Sequence, residues 1–395
     1  MKRRGFLAKS LGGVVASGLT LVQGQEEAVT SNGLMRTPVN LMAPRPDGIT
    51  LVWAVNGLCR GWVEWKGEGA EGKADMTPAG FVPQTDEVFQ VDVNGLKPGG
   101  EYEVRAVVID VETEKREESA WKKFRTIDPK AAMTKFLIWN DTHENNATIQ
   151  KLDDASPKAD FFLWNGDTCN DWKEEAKLIP TLLHPGGRDI TNGRPMLLNW
   201  GNHDGRGKFA YKVPSCIGMT DGRPFTAFRS GPVAAIFLHT GEDKPDDHPS
   251  FKGRVSFDKL RKEQAEWLKE VIERPEFKNA PYRVAFCHIP LRWLEEPETV
   301  DYAGKGFDHY SRRSRDLWHN SLVKWKTQLV VSGHTHNSQW IPANDQFPYG
   351  QLVGGGPQLE RARWIVGEAD EKSLRFTVTD LTGAVTHEVK FEPVA

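Results

Sequence analysis

The sequence predicts an α/β (α+β) fold preceded by an all-β region, and three observations carry that prediction. From about residue 37 to 126, apolar and polar residues alternate at period two, with turn residues between the runs. From about residue 134 onward, short continuous apolar runs alternate with amphipathic helical stretches. Five short motifs rich in Asp, His and Asn directly follow five of those runs, where the loops of an open α/β sheet converge on one crevice.

Taken in order, the chain begins with Lys2, Arg3 and Arg4, then Phe6, Leu7 and Lys9, then an apolar run from Leu11 to Val22. That run is shorter than the roughly 20 residues a spanning helix needs. It reads as a signal peptide over residues 1–24 and resembles a twin-arginine export signal, which implies a periplasmic or extracellular location. Cleavage near Gly24 would take the formal charge from −3 to −7. No Cys follows the apolar run, so no lipid anchor to a membrane is expected.

The runs 49–55, 61–65, 88–93 and 102–107 predict strands of a small β-sandwich over residues 37–127, ending near Ile127, Asp128 and Pro129. Leu96, Pro98, Gly99 and Tyr102 form an L-x-P-G-x-x-Y run that resembles the turn and tyrosine corner of fibronectin type III domains. Trp53 fits the tryptophan of the second strand in that family. The runs 135–139, 160–165, 195–200, 283–287 and 329–332 predict buried strands of a second domain over residues 134–395. Leu260, Trp267, Leu268, Val271 and Ile272 form the buried stripe of one covering helix. Residues 374–380 and 385–389 flank a Thr382–Gly383 turn and predict a closing hairpin.

A length of 395 residues agrees with two domains, and 38% apolar with 27% charged residues describes a soluble globular chain. The net charge of −3 argues against a nucleic-acid-binding platform. Four cysteines in an exported chain invite a disulfide reading, which we resist because Cys169 and Cys287 lie inside the motifs and Cys59 in the other domain. The composition gives no oligomeric state.

The motifs are Asp141-Thr142-His143, Gly166-Asp167, Gly201-Asn202-His203-Asp204, Cys287-His288 and Gly333-His334-Thr335-His336. Each alone is weak, since a Gly-Asp pair is common and a lone His is usually structural. In this order they resemble the signature of calcineurin-like metallophosphoesterases, whose fold is a four-layer αββα sandwich. That resemblance implies a phosphatase or phosphodiesterase with two divalent metal ions and a small-molecule phosphoester substrate. It assigns Asp141, His143 and His336 to one metal and Asn202, His288 and His334 to the other, with Asp167 bridging. Two such ions acidify a bridging water for attack on phosphorus and neutralise phosphate charge. The resemblance also gives His203 the proton for the leaving oxygen, with Asp204 orienting its ring, and lets Asn202 touch substrate.

The domain order resembles purple acid phosphatases, but His143 and Asn170 stand where those carry Gly and the tyrosine that ligates ferric iron. A ferric–tyrosinate centre is therefore not expected, and imidazole with carboxylate suits Mn, Fe or Zn. Arg292 is expected to contact the leaving group or phosphate. Asn145, Arg206 and Lys208 are either substrate contacts or loop polarity, and His239 is more simply a structural His. Arg312, Arg313 and Arg315 are either a specificity lid or a solvated surface. Two other functions stay open: a non-catalytic surface-binding protein using the fibronectin-like domain, and a metal-dependent hydrolase of a non-phosphate bond.

Overall fold

A computed structural model describes residues 33–294 and 312–394, so the expected export signal lies outside the described residues. The described residues form one compact unit. Two large sheets stack at its centre. The first runs, edge to edge, Val385–Phe391, Leu374–Asp380, Arg363–Ala369, Thr134–Trp139, Phe161–Asn165, Met196–Asn199, Asn40–Arg45, Gly48–Ala54 and Val88–Asn94. The second runs Thr226–Ser230, Val233–Leu238, Tyr282–Cys287, Leu329–Ser332, Gly350–Val353 and Gln339–Ile341.

Period-two geometry explains why the central strands read as continuous apolar runs. In Thr134–Trp139, Phe136 and Ile138 face the layer between the two sheets, while Leu137 and Trp139 face the opposite side. Phe136, Leu163, Leu197, Phe237, Phe286 and Val331 fill the inter-sheet layer. Ile149 and Leu152 of helix Asn146–Ala155 cover the outer face of the first sheet. Leu268 and Val271 of helix Phe257–Val271, with Trp318 and Leu322 of helix Arg312–Lys324, cover the outer face of the second. The layers are helix, sheet, sheet, helix, as expected.

The first helix starts where a cap demands it. The Asn145 side chain accepts from the Thr148 N–H at 3.2 Å, and its amide donates to the Pro357 carbonyl at 2.7 Å. That accounts for Asn145 as a structural residue. Helix Phe257–Val271 buries Leu268 and Val271 of the expected stripe but leaves Leu260 and Trp267 half-buried, and it also fully buries Arg261 and Gln264.

The N-terminal region holds a third sheet of Ala70–Ala74, Cys59–Gly67, Glu101–Asp110 and Arg116–Glu118. It packs over Asn40–Arg45, Gly48–Ala54 and Val88–Asn94 of the first sheet around Trp53, Leu51, Val63 and Val104. The Tyr102 hydroxyl oxygen accepts from the Lys97 N–H at 2.9 Å. The expected boundary near Ile127 is no break in the sheet: Asn40–Arg45 pairs in parallel with Met196–Asn199, Met42 opposite Met196. Further ties cross it, including the Asn40 amide to the Leu183 carbonyl at 2.9 Å and the Gln90 amide to the Pro214 and Ile217 carbonyls at 2.7 and 2.6 Å. No helix among the described residues is long and apolar enough to cross a membrane.

Candidate metal centre

All five motifs begin just past a strand end. Three extend the parallel-paired strands of the first sheet and two extend those of the second, so the site lies where the two sheets' strand ends meet. Backbone bonds lace the loops together. Asp141 N–H donates to the Gly166 carbonyl at 3.1 Å, His143 N–H to the Asp167 carbonyl at 3.0 Å, and Gly333 N–H to the His288 carbonyl at 2.9 Å.

This crowding explains two of the motif glycines. A Cβ on Gly201 would lie 2.2 Å from the Asp167 nitrogen, and one on Gly333 would lie 2.3 Å from Asp141 Oδ2. The ligand backbones carry strain as well. Asp141, His143, Asp167, His334 and His336 all have φ between 45° and 72°, the left-handed region that non-glycine residues rarely occupy. Such outliers persist only where surrounding structure over-determines them, and they gather at functional sites.

The side chains converge in two groups. Asp141, His143, Asp167 and His336 each offer one ligand atom, all within 4.8 Å of one another; Asp167, His288 and His334 form a second such group. Asp167 belongs to both. Asn202 Oδ1 lies 2.9 Å from His334 Nδ1, which places it beside the second group. His143 Nε2 and His336 Nε2 face each other at 3.0 Å.

The donor set fits divalent cations. Buried His288 Nε2 makes no well-aligned hydrogen bond, although Asp167 Oδ2 is 3.1 Å away. An orphaned buried nitrogen aimed at carboxylates is a vacant ligand position in chemical terms. Burial lowers His334 to about 3 and His143 to about 4, so both rings present neutral nitrogens. Burial would lower His288 too, but the adjacent Asp167 and Asp141 carboxylates outweigh it and raise it to about 10. Burial pushes Asp141 well above the usual carboxylate range. Burial also presses Asp167 upward, yet His288, His203 and His143 hold it well below that range. Negative charge thus concentrates on the residue common to both groups.

The His203 edge differs from expectation. Its ring sits beside His143, centroids 4.9 Å apart. Asp204, however, does not touch it. Asp204 is fully buried and accepts from the Thr168 N–H at 3.1 Å, the Thr168 hydroxyl at 2.5 Å and the Gly201 N–H at 2.8 Å. It ties the Asp167 loop to the Asn202 loop. His203 Nδ1 instead donates to the Asn170 carbonyl at 2.6 Å, with Asp171 Oδ1 at 2.9 Å. Orientation of the ring therefore falls to Asp171, because a short turn aims the Asp204 side chain inward. Asn170, standing where a tyrosine ligand would be, turns its amide to the His143 carbonyl at 3.2 Å and Glu144 Oε2 at 3.1 Å.

Arg292 is also placed otherwise than expected. Its guanidinium is buried, donates to the Pro342 and Tyr349 carbonyls at 3.0 and 2.7 Å, and lies over the Phe347 ring. These described partners tie it to the segment from Pro342 to Tyr349. Arg313 forms a partly solvated ion pair with Asp258 at 2.5 Å, whereas buried Arg315 donates to the Leu291 carbonyl at 2.9 Å. His239 is buried, accepts from the Gly241 N–H at 3.0 Å and stacks on Trp200, the structural role expected of it. All four cysteines are free and buried.

Sequence reading missed Asp171, Glu242 and Asp243. No motif spacing marks them. A signal for Glu242 was present in its position four residues past a buried strand end (Leu238), in a chain whose other such positions carry ligands.

With that geometry in place, comparison assigns the class. Residues 134–338 match the calcineurin-like phosphoesterase family, and the chain belongs to it. Similar solved structures include purple acid phosphatase PPD1 from yellow lupin (Lupinus luteus) seeds, at 14% identity over 90% of this chain and 75% of that one, TM-score 0.63. The structure of PhoD aligns at 11% identity over 90% of this chain and 92% of that one, TM-score 0.62. At these identities the likeness is one of fold. No curated protein sequence matches the chain.

Proposed function

We propose that the chain is an exported phosphoric ester hydrolase that uses two divalent metal ions, Mn, Fe or Zn, to cleave small organic phosphomonoesters or phosphodiesters. The observation that carries the reading is Asp167, shared by a group of two carboxylates with two imidazoles and a group of one carboxylate with two imidazoles. Bound there, two divalent cations lower the pKa of a water and offset phosphate charge. Asp141, His143 and His336 would hold one; His288 and His334, with the Asn202 amide oxygen, would hold the other.

His203 is the residue for the leaving group. Its Nδ1–H is fixed by the Asn170 carbonyl, and Asp171 offsets positive charge on the ring, so Nε2, which lies 3.3 Å from Arg206 Nη1, is the nitrogen left to carry a proton to the departing oxygen. Asn202, next to it, lies within reach of a phosphate oxygen as well as of the second cation. The fibronectin type III reading of the N-terminal region is supported by its two facing sheets, by Trp53 in their core and by the Tyr102–Lys97 bond. Export is supported by Arg3 and Arg4 ahead of the apolar run.

The test is hydrolysis of a matched phosphomonoester and phosphodiester by metal-reconstituted protein, with Asp167→Ala as control. Turnover of at least one ester by wild type and none by the variant is expected. Equal rates from the two proteins would sink the two-metal reading.

A further inference from the structure

Past strand Gly350–Val353, three glycines carry the chain beside the metal-ligand cluster and into the turn that bears Arg361. That segment is tied down along its length. The Gly354 N–H donates to the Ser332 carbonyl at 3.1 Å. The Pro357 carbonyl accepts from the Asn145 amide at 2.7 Å and from the Thr148 hydroxyl at 2.6 Å. The Arg361 and Ala362 N–H groups both donate to the Gln358 carbonyl, at 2.9 and 2.8 Å. Gly356 seats the turn against His336. A Cβ there would lie 2.9 Å from Arg361 Cβ, 3.0 Å from the His336 carbonyl oxygen and 3.2 Å from His336 Cβ. Only a residue without a side chain lets Arg361 and His336 start as such near neighbours.

This is the open side of the first ligand group. The His336 side chain is 31% exposed, against 7% for His143, 2% for Asp167 and 0% for Asp141. Arg361 is exposed beside it, and its guanidinium makes no hydrogen bond or ion pair among the described residues. Other arginines that follow the motifs are committed: Arg206 meets both oxygens of Glu242 at 2.6 and 2.7 Å, and Arg292 meets two carbonyls. A rigid backbone mount thus carries an uncommitted cation at the solvent side of a metal-ligand cluster.

The chemistry of that cation suits phosphate. A planar guanidinium presents paired N–H donors that match two oxygens of one phosphate. A phosphomonoester, whose second pKa is about 6, carries close to two negative charges above neutrality. A diester carries one charge, and an ester oxygen replaces one of the charged acceptors. We propose that Arg361 is a substrate-binding residue that selects phosphomonoesters: from the solvent side of His336 it donates to nonbridging oxygens of the phosphate and favours the dianion over a diester. This role rests on the phosphoesterase reading above and narrows its substrate class to monoesters.

The experiment uses zinc-loaded full-length protein at about pH 7.5, above the second phosphate pKa. Binding of inorganic phosphate is measured by calorimetry, and kcat/KM is measured for an aryl phosphate and for the methyl aryl phosphate with the same leaving group. Arg361→Gln should keep its zinc and its unfolding midpoint, since the side chain has no intramolecular partner to lose. Its phosphate Kd should rise about tenfold, the usual worth of a hydrogen bond to a charged group. Its kcat/KM should fall about tenfold more on the monoester than on the diester. Arg361→Lys, which keeps the charge without the fork, should fall between wild type and Arg361→Gln. Equal losses on both esters, an unchanged phosphate Kd, or a wild type active on the diester alone would each overturn the proposal. Wild-type protein that turns over neither ester would instead defeat the phosphoesterase reading. A phosphate Kd still raised by Arg361→Gln would then keep Arg361 as a phosphate contact.

Discussion

The crevice has two edges that were built by different means. On the metal side, the residues that matter follow strand ends within one to four positions, and the glycines beside them are dictated by close approach. On the His203 side, the ring meets Asn170, Asp171 and Arg206, and Arg206 meets Glu242, all at positions outside the motifs. The first edge is specified locally: a short stretch of sequence contains both the ligand and the turn that aims it. The second is specified by which loops happen to meet. The contrast separates what binds metal from what directs the chemistry beside it, and mutations should separate them too.

The largest effect belongs to the shared ligand. Asp167→Ala should remove metal measured by elemental analysis and leave no turnover above background, since both ligand groups lose a member. Retention of two metals per chain would break the comparison at its firmest point. Next comes His203→Ala, which should keep its metals and lose about 10² to 10⁴-fold in kcat, the usual worth of a positioned acid or base. Poor leaving groups should suffer most. Metal loss on this substitution would move His203 from one edge to the other.

Asp171 and Asp204 offer a sharper cut, because they lie on adjoining loops and do different work. Asp204→Asn sets an amide donor against the Thr168 or Gly201 N–H, and should cost about 1–3 kcal/mol by denaturant unfolding. Asp171→Asn leaves those bonds intact. Its expected signature is a fall in kcat of about tenfold, with little change in unfolding midpoint. Exchange of the two signatures would restore Asp204 as the partner of His203.

A pH experiment probes the same edge from its buried side. Burial lowers His239 to about 3, with the Arg261 charge adding to the effect. The unfolded ring titrates near 6.5, so stability from this group is fully present above about pH 6.5 and is lost as pH falls toward 3. His239→Phe, which orphans the Gly241 N–H, should be less stable than wild type at pH 7. Its deficit should shrink on acidification, by at most about 1.4 kcal/mol per pH unit. A deficit constant from pH 7 to 4 would mean that His239 does not titrate through folding.

Much of this was legible in the sequence, and the limits have physical causes. Each central strand announced itself as an apolar run because both of its faces are buried, as the alternation of Phe136 and Leu137 between two cores shows. The ligand loops were legible because turn and ligand share a motif. The partner of His203 was not, since adjacency in sequence put Asp204 next to it while the turn at 203–205 swings that carboxylate toward Thr168. Arg292 misled for a similar reason: a charge near a motif reads as function until its carbonyl partners at Pro342 and Tyr349 are seen. The N-terminal boundary was drawn from the alternating strand pattern, which cannot reveal that Asn40–Arg45 pairs with Met196–Asn199 in the first sheet.

That continuity sets up the smallest predicted effect. Gln90, on the outermost N-terminal strand of the first sheet, donates to the Pro214 and Ile217 carbonyls in the segment after G-N-H-D. Loss of both bonds in Gln90→Ala should cost about 0.5–1.5 kcal/mol for each, less where water replaces them at the partly exposed end. If the His203 edge is held only by its own loops, the unfolding midpoint should fall while kcat and its leaving-group dependence stay unchanged. A leaving-group effect like that of His203→Ala would instead tie the His203 edge, through the segment from Pro214 to Ile217, to the N-terminal sandwich.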